Sequence, residues 1–393
     1  MQLKISRDIL TDWVSLVSEI SSREPGVPSH EIRMMAEGKT TYLSSTNLIG
    51  SQYLMCKMEG DGCEIIDDGS LCIPGKPLRE ALSLIGGDEI TLTTDGFSTQ
   101  VSGGGSEELV LSGMDPLKWP PMPKMSNRSA TFDLPASVLR EMHSLMGFGC
   151  SKDQTMAPMT SMLIEVMGDG MVICTSCDRQ RVSFYTAPAG TATNVEMGRF
   201  DDVVRIALPV DAASCISGKI LSHVDGSFGV TVDASKVMIS TPSVRFFCSQ
   251  EAGSDTYPKM RDHLREKTAF RFKVARADLM RVAKLVNVVA SKSICKISFD
   301  YDGGTALLSG RGKVNKSNRS KQSVTLSDLE GTTLKTNEVM VSSEDLNEAI
   351  SAIKDDEMLI GMTVTNNDTL GPVLTLGVGD RWKHIIFGSR EVD

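Results

Sequence analysis

"FDLPASVLREM" (Phe132–Met142) is a strand end that runs straight into a helix. Phe132 and Leu134 alternate with Asp133, Pro135 stands where a helix can start, and Val138, Leu139 and Met142 recur at helical spacing. The chain opens on the same phrase, "LKISRDILTDW" (Leu3–Trp13), and writes it a third time as "FKVARADLMRV" (Phe272–Val282), roughly 130 residues apart. As helices, the three copies gather apolar residues on one arc. These are Ile9, Leu10, Trp13, Leu16, Val17 and Ile20 in the first, Val138, Leu139, Met142, Leu145 and Met146 in the second, and Leu279, Val282, Leu285, Val286 and Val289 in the third. Each is an amphipathic helix made to lie on something flat.

A second phrase also returns twice. "LCIPGKPLREALSLIG" from Leu71 is echoed by "RIALPVDAASCISGKIL" from Arg205 and "VMVSSEDLNEAISAI" from Val339, each a short strand, a Pro or Ser at a helix start, and an apolar stripe. Strand-like runs with Asp-Gly and Gly-Gly hairpin tips fill the intervals, as in "ITLTTDGFSTQVSGG" and "ICKISFDYDGGTALLSG". Two phrases, each found three times in order, predict an α+β chain of three similar units over 1–125, 126–265 and 266–393.

A chain of 393 residues suits two or three domains. It holds no apolar run long enough for a membrane span and no signal-peptide core, so we expect a cytoplasmic protein without membrane partners. Nine cysteines in no regular framework fit a reducing compartment. A net charge of −9 argues against coating nucleic acid with the whole surface, though not against a local basic face.

Catalytic patterns are missing from the sequence. The five histidines are scattered, and Cys174-x-x-Cys177 has no second pair to complete a zinc site, so buried strand cysteines are the simpler reading. "SGGGSEE" (Ser102–Glu108) has no following Lys-Ser/Thr and reads as a hairpin turn. We expect no enzyme, no metal and no cofactor. A hydrolase site assembled from distant residues is the alternative that spacing leaves open.

With both phrases in place, the chain resembles the bacterial sliding clamp, the beta subunit of the replicative DNA polymerase, along its whole length. Four segments carry the likeness beyond element order: "GMDPLKWPPM" (Gly113–Met122), "CDRQRVSFYTAP" (Cys177–Pro188), "GSDTYPKMRDHL" (Gly253–Leu264) and "HIIFGSREVD" from His384. The match is divergent, as suits a phage or plasmid copy. The resemblance implies three tandem clamp domains, each with two helices on an inner face and antiparallel sheets outside, and two chains joined head to tail as a ring around duplex DNA. The partners implied are the replicative polymerase, the clamp loader and other proteins with clamp-binding motifs. A clamp-like scaffold that does not encircle DNA is the alternative, favoured by the acidic helices.

Carried over residue by residue, the resemblance implies a cleft that receives a partner's short peptide. One wall would be Met159, Cys177, Asp178, Gln180, Arg181 and Val182; Pro258 and His263 would form a second part, and Phe387, Gly388, Ser389 and Arg390 a third. Gln180 stands where the family often has His, Asp262 where a basic residue is usual, and Gly388 where Pro is usual. The same "CDRQRV" also reads as plain strand and turn with an internal Asp178–Arg181 contact. Leu109 and Leu111 would meet Val288 and Val289 of a second chain, unless all four are ordinary core. Facing DNA would be Arg7, Arg23, Lys76, Arg79, Arg140, Lys152, Lys219, Arg276, Arg281 and Lys284. Such contacts touch backbone phosphates and position a protein without reading sequence. A solvated helix face is the plainer account of each. The densest basic stretch is "GRGKVNKSNRSKQ" (Gly310–Gln322).

Overall fold

The computed structural model of the chain describes residues 1–21, 30–47, 51–58, 62–105, 107–188, 203–250, 257–260, 263, 268–363 and 372–388. Its elements follow the written order three times. The first set is β1 (Gln2–Ser6), α1 (Arg7–Val17), β2 (Glu31–Glu37), β3 (Thr40–Thr46), β4 (Gln52–Met58), β5 (Cys63–Asp67), β6 (Gly69–Pro74), α2 (Gly75–Leu82), β7 (Glu89–Asp95), β8 (Ser98–Ser102) and β9 (Glu108–Ser112). The second is β10 (Ala130–Pro135), α3 (Ala136–Met146), β11 (Ser161–Met167), β12 (Met171–Cys177), β13 (Arg181–Pro188), β14 (Val203–Pro209), α4 (Val210–Cys215), β15 (Ser227–Val232), β16 (Lys236–Ser240) and β17 (Val244–Ser249). The third is β18 (Phe270–Ala275), α5 (Arg276–Ala290), β19 (Ile294–Asp300), β20 (Thr305–Arg311), β21 (Arg319–Thr325), β22 (Ser327–Gly331), β23 (Glu338–Ser342), α6 (Ser343–Ala352), β24 (Glu357–Thr363), β25 (Val373–Val378) and β26 (Trp382–Ile386).

The opening phrase folds alike in all three places. The residues before α1 and α5 make no side-chain cap, so the first N–H of the helix must find a carbonyl elsewhere. Arg7 N–H donates to Asp88 O at 2.9 Å, Ala136 N–H to Gly226 O at 2.9 Å and Arg276 N–H to Asp356 O at 2.8 Å. In each case the acceptor lies just ahead of the strand that follows the set's second helix. Behind these starts the buried stripes run at helical spacing, Leu10, Val14 and Val17 on α1 and Leu279, Val282, Ala283, Val286 and Ala290 on α5. Leu285, expected within the α5 stripe, is instead 44% exposed. The second phrase yields one short helix: α4 stops at Cys215 and widens into a five-residue π-type turn at Ile216–Ile220, around Gly218. Gly and Ser at that point weaken the tighter helix.

The chain divides into two compact units, one built on residues 1–137 and 211–250, the other on 138–188, 203–210 and the described residues from 257 onward. The first unit holds a five-stranded sheet, β5-β1-β7-β8-β9, and an eight-stranded sheet, β10-β15-β16-β17-β4-β3-β2-β6. The second holds a nine-stranded sheet, β14-β11-β12-β13-β26-β25-β24-β18-β22, and a four-stranded sheet, β21-β20-β19-β23. Both large sheets are therefore composite. Strand β17 of the second set pairs with β4 of the first, and β26 of the third pairs with β13 of the second, each antiparallel.

Candidate functional site

The "CDRQRV" segment is the tip of the β12–β13 hairpin, in the second unit. Asp178 folds the turn by accepting the N–H groups of Gln180 at 2.7 Å and Arg181 at 2.9 Å, a local carboxylate turn of the kind Asp favours. Arg181 then points inward. Only 4% of it is exposed. Its Nε meets Asp178 at 3.0 Å and its Nη2 donates to Phe148 O at 2.9 Å. Its Nη1 lies 3.2 Å from Asp345 and 2.7 Å from Glu348, both on α6. Lys152 joins Glu348 at 2.9 Å, and the guanidinium lies over the Phe148 ring, 5.4 Å from its centre.

Burial pushes the Asp345 carboxyl up despite the neighbouring Arg181 charge. Burial works on Glu348 the same way, but the hydrogen bonds from Lys152 and Arg181 outweigh it and hold that carboxyl low. Arg181 was expected on the wall of a peptide cleft. Its side chain is instead spent inside this ion-pair cluster, because three carboxylates surround it and withdrawing it would leave the buried Asp345 without its cation.

Beside the hairpin tip lies an apolar floor. Leu163, Cys177, Val182, Phe184, Tyr257, Val373 and Ile385 are buried together, with Met159, Met260 and Phe387 half-buried against them. Phe387 N–H donates to Gln180 O at 2.9 Å, and its ring meets that of His263 edge to face, centroids 5.7 Å apart. Tyr257 anchors the segment over the floor through its hydroxyl, which donates to Ser161 O at 3.3 Å and Thr175 O at 3.2 Å. A Cβ on Gly388 would stand 2.5 Å from Pro372 O, so the close approach of the two backbones requires glycine there.

Of the expected cleft residues, Met159, Phe387, His263, Pro258, Gly388 and Gln180 are half-buried or exposed around this floor, whereas Cys177 and Val182 are fully buried beneath it. Ser389 and Arg390 lie outside the described residues, as does Asp262. Sequence reasoning missed Met260 and Leu163; Met260, two residues past the Tyr257-Pro258 pair, was the readable signal. A separate groove of about 490 Å³ lies elsewhere on the second unit, lined by Arg271, Glu330, Gly361, Thr375, Gly377 and Lys383 among others.

The basic residues expected to face DNA are dispersed over several helices, and many already have acidic neighbours. In the first unit Lys219 lies 3.4 Å from Glu19 and Lys76 3.9 Å from Glu80, Arg7 is half-buried with Nη1 3.5 Å from Ile85 O, and Arg79 is exposed. In the second, Arg281 lies 3.6 Å from Asp278, Lys152 is held by Glu348, Arg276 is half-buried, and Arg140 and Lys284 are exposed. Arg23 lies outside the described residues.

β9 ends the five-stranded sheet and β21 the four-stranded one. Leu109 and Leu111 are half-buried on β9, Val289 is half-buried on α5, and Val288 is 81% exposed.

For catalysis the inner residues offer little. Among the described residues no three His, Cys, Asp or Glu side chains gather as metal ligands. Cys174 and Cys177 are buried and free, and burial pushes their thiols up, Cys177 to about 11. Ser183 Oγ and His384 Nδ1 are 2.6 Å apart, but His384 is fully buried, and burial followed by the Arg181 charge pushes its imidazole down to about 3.

No family model matches the chain. The chain is 24% identical over 366 residues to the beta sliding clamp of Staphylococcus epidermidis, an alignment covering 91% of this chain and 92% of that one. Its fold matches the beta subunit of DNA polymerase from Streptococcus pyogenes with a TM-score of 0.85 at 14% identity, over 99% of this chain and all of that one. It also matches the Helicobacter pylori beta clamp bound to a DNA ligase peptide, TM-score 0.82 at 14% identity, over 99% of this chain and all of that one.

Proposed function

We propose that this chain, similar from end to end to the bacterial beta sliding clamps, is a DNA polymerase processivity factor: a non-catalytic ring that encircles duplex DNA and tethers replication proteins. One observation carries the reading. Two of the three joints that a six-unit ring needs per chain are already made in the fold, by β17 on β4 and by β26 on β13. In the repeat, β9 stands where β17 and β26 stand, and β21 stands where β4 and β13 stand. Each is left as an open sheet edge. An edge of that kind is a template for another strand. Pairing β9 of one copy with β21 of a second, twice over, closes a head-to-tail homodimer with no raw edge at the joint.

The apolar floor around Met159, Met260, His263 and Phe387 is the proposed docking cleft for a partner's peptide, as a clamp-bound ligase peptide in the H. pylori relative suggests. Half-exposed apolar side chains there can seat an aromatic or Leu anchor, and Gln180 and backbone groups can hold the peptide's main chain. Polymerase, clamp loader and other clamp-motif proteins are the proposed occupants. The three-unit division near residues 125 and 265, and a cytoplasmic site of action on the nucleoid, belong to the same reading.

DNA contact through dispersed, partly paired basic residues is weak and salt-sensitive, so topology holds the ring in place. The test is loading onto nicked circular DNA followed by linearisation. Release on cutting supports encirclement; retention on a linear duplex with open ends rejects it. For the cleft, Phe387→Ala with Met260→Ala should weaken peptide binding about tenfold or more while leaving the dimer intact.

A further inference from the structure

The internal repeat also specifies a register for the third joint. Counting starts from the equivalent helix starts Arg7, Ala136 and Arg276. From there the ladders β1-β7-β8-β9, β10-β15-β16-β17 and β18-β24-β25-β26 make Glu108, Arg245 and Lys383 equivalent positions. Counting from the starts of α2, α4 and α6 through β6-β2-β3-β4, β14-β11-β12-β13 and β23-β19-β20-β21 makes Met55, Phe184 and Lys321 equivalent. Within the chain Arg245 lies opposite Met55, and Lys383 lies opposite Phe184.

We infer that Glu108 lies opposite Lys321 of a second copy, so that the ladder between chains carries an opposed charge pair where the two ladders within the chain set an apolar Met55 or Phe184 against a cation. This rests on the clamp reading above. The same register sets Val110 against Arg319 and Leu109 against Ser320.

Three further observations fit it. Glu107 and Glu108 make the β9 edge acidic, while Arg311, Lys313, Lys316, Arg319 and Lys321 make the β20–β21 hairpin basic, and all are exposed. Pairing β9 with β9 would bring carboxylates together, and β21 with β21 would bring cations together, so charge selects the heterologous pairing and rejects both isologous ones. The same register reaches Val288, which the resemblance already set against Leu109 of a second chain. It is equivalent to Phe148, whose ring lies 5.2 Å from that of His384, and His384 is equivalent to Leu109. Val288 of one copy therefore packs on Leu109 of the next, which accounts for an apolar side chain left 81% exposed in the single chain.

The joint is tested by mixing two single variants, Glu108→Cys and Lys321→Cys, under mild oxidation. Directly opposed positions on neighbouring strands are close enough to bridge. The inference expects crosslinked dimer of about twice 42.5 kDa from the mixture, and little from either variant alone. A pairing slipped by two, Glu108→Cys with Arg319→Cys, should crosslink poorly. Charge reversal gives the second reading: Glu108→Lys should weaken association about tenfold at each of two joints, roughly a hundredfold per ring at low salt. Glu108→Lys with Lys321→Glu in one chain should restore it. Both positions are exposed, and far-ultraviolet circular dichroism checks that the variants fold. Light scattering separates the two levels of failure. A dimeric wild type that ignores Glu108→Lys, or crosslinks in the slipped register, overturns the keyed joint and leaves the ring standing. A wild type monomeric at every concentration removes both.

Discussion

The joint in the first unit and the joint in the second are built on the same strand pairing, yet they bury opposite chemistry. Where β17 meets β4, Phe246 lies opposite Leu54, and Phe247 lies opposite Tyr53, whose hydroxyl accepts from the buried Trp119 Nε1 at 3.3 Å. Where β26 meets β13, His384 lies opposite Ser183 and hydrogen-bonds to it, and Ile386 lies opposite Arg181 with its carboxylates. His384 occupies the position of Phe246. Burying polar groups costs free energy that apolar packing does not, and pairing repays it only with good geometry. The second joint thus gives up simple packing energy for a wired hairpin tip, and the half-open apolar floor sits next to that tip. The difference teaches that one fold repeated three times can keep its ladders and still specialise each seam.

The comparison breaks most visibly at its two buried anchors. Arg181→Met should destabilise the second unit by about 3–5 kcal/mol in urea titrations, since it strands the buried Asp345 and takes one cation from Asp178 and Glu348. Phe246→Ala should cost the first unit a similar ~3–5 kcal/mol by opening a cavity. The two losses differ in rescue. Adding Asp345→Leu and Glu348→Leu should recover much of the first, because an apolar cluster replaces the orphaned charges, and no charge removal should recover the second.

Acid sharpens the contrast. The His384 imidazole is depressed to about 3 by burial and by Arg181, below the ordinary histidine value of 6.5. The unfolded chain therefore binds a proton that the folded chain refuses between those values. Stability is fully present above about 6.5 and falls by about 1.4 kcal/mol per pH unit as pH drops toward 3. His384→Phe should flatten most of that slope in stability measured against pH. A shallower slope remains, since burial depresses His143 in the same sense.

Smaller effects follow. Trp119→Phe should cost the first unit about 1 kcal/mol through the hydrogen bond to Tyr53. Lys152→Ala should cost the second only a few tenths of a kcal/mol, because the lysine is 77% exposed and screened. Its trace should appear in acid. Glu348 is held low, so its contribution is present above about 4.5 and lost as pH falls through the folded value; without Lys152 that loss should be smaller.

Much of the fold was legible because its signals are local and repeated. Proline before a helix, alternation in strands and 3.6-residue stripes each leave marks in sequence, and three copies let them check one another. The floor residues Met159 and Phe387 were also reachable by resemblance. The fate of Arg181 was legible only in part: its contact with Asp178 reads from "CDRQRV" itself, whereas its partners Asp345 and Glu348 are more than 160 residues away, on a helix that reads as merely acidic. Leu285 shows the same limit, for a residue's periodicity says which face it shares and not whether anything covers that face.

The composite sheets carry a consequence for how such a chain can be altered. Each half of the middle repeat finishes a ladder begun by another repeat, β17 for β4 and β13 for β26. Excising or transplanting that repeat would leave torn seams in both large sheets. Recombination between relatives should then tolerate crossovers only where donor and recipient strands share a seam, which makes the chain modular in appearance and indivisible in inheritance.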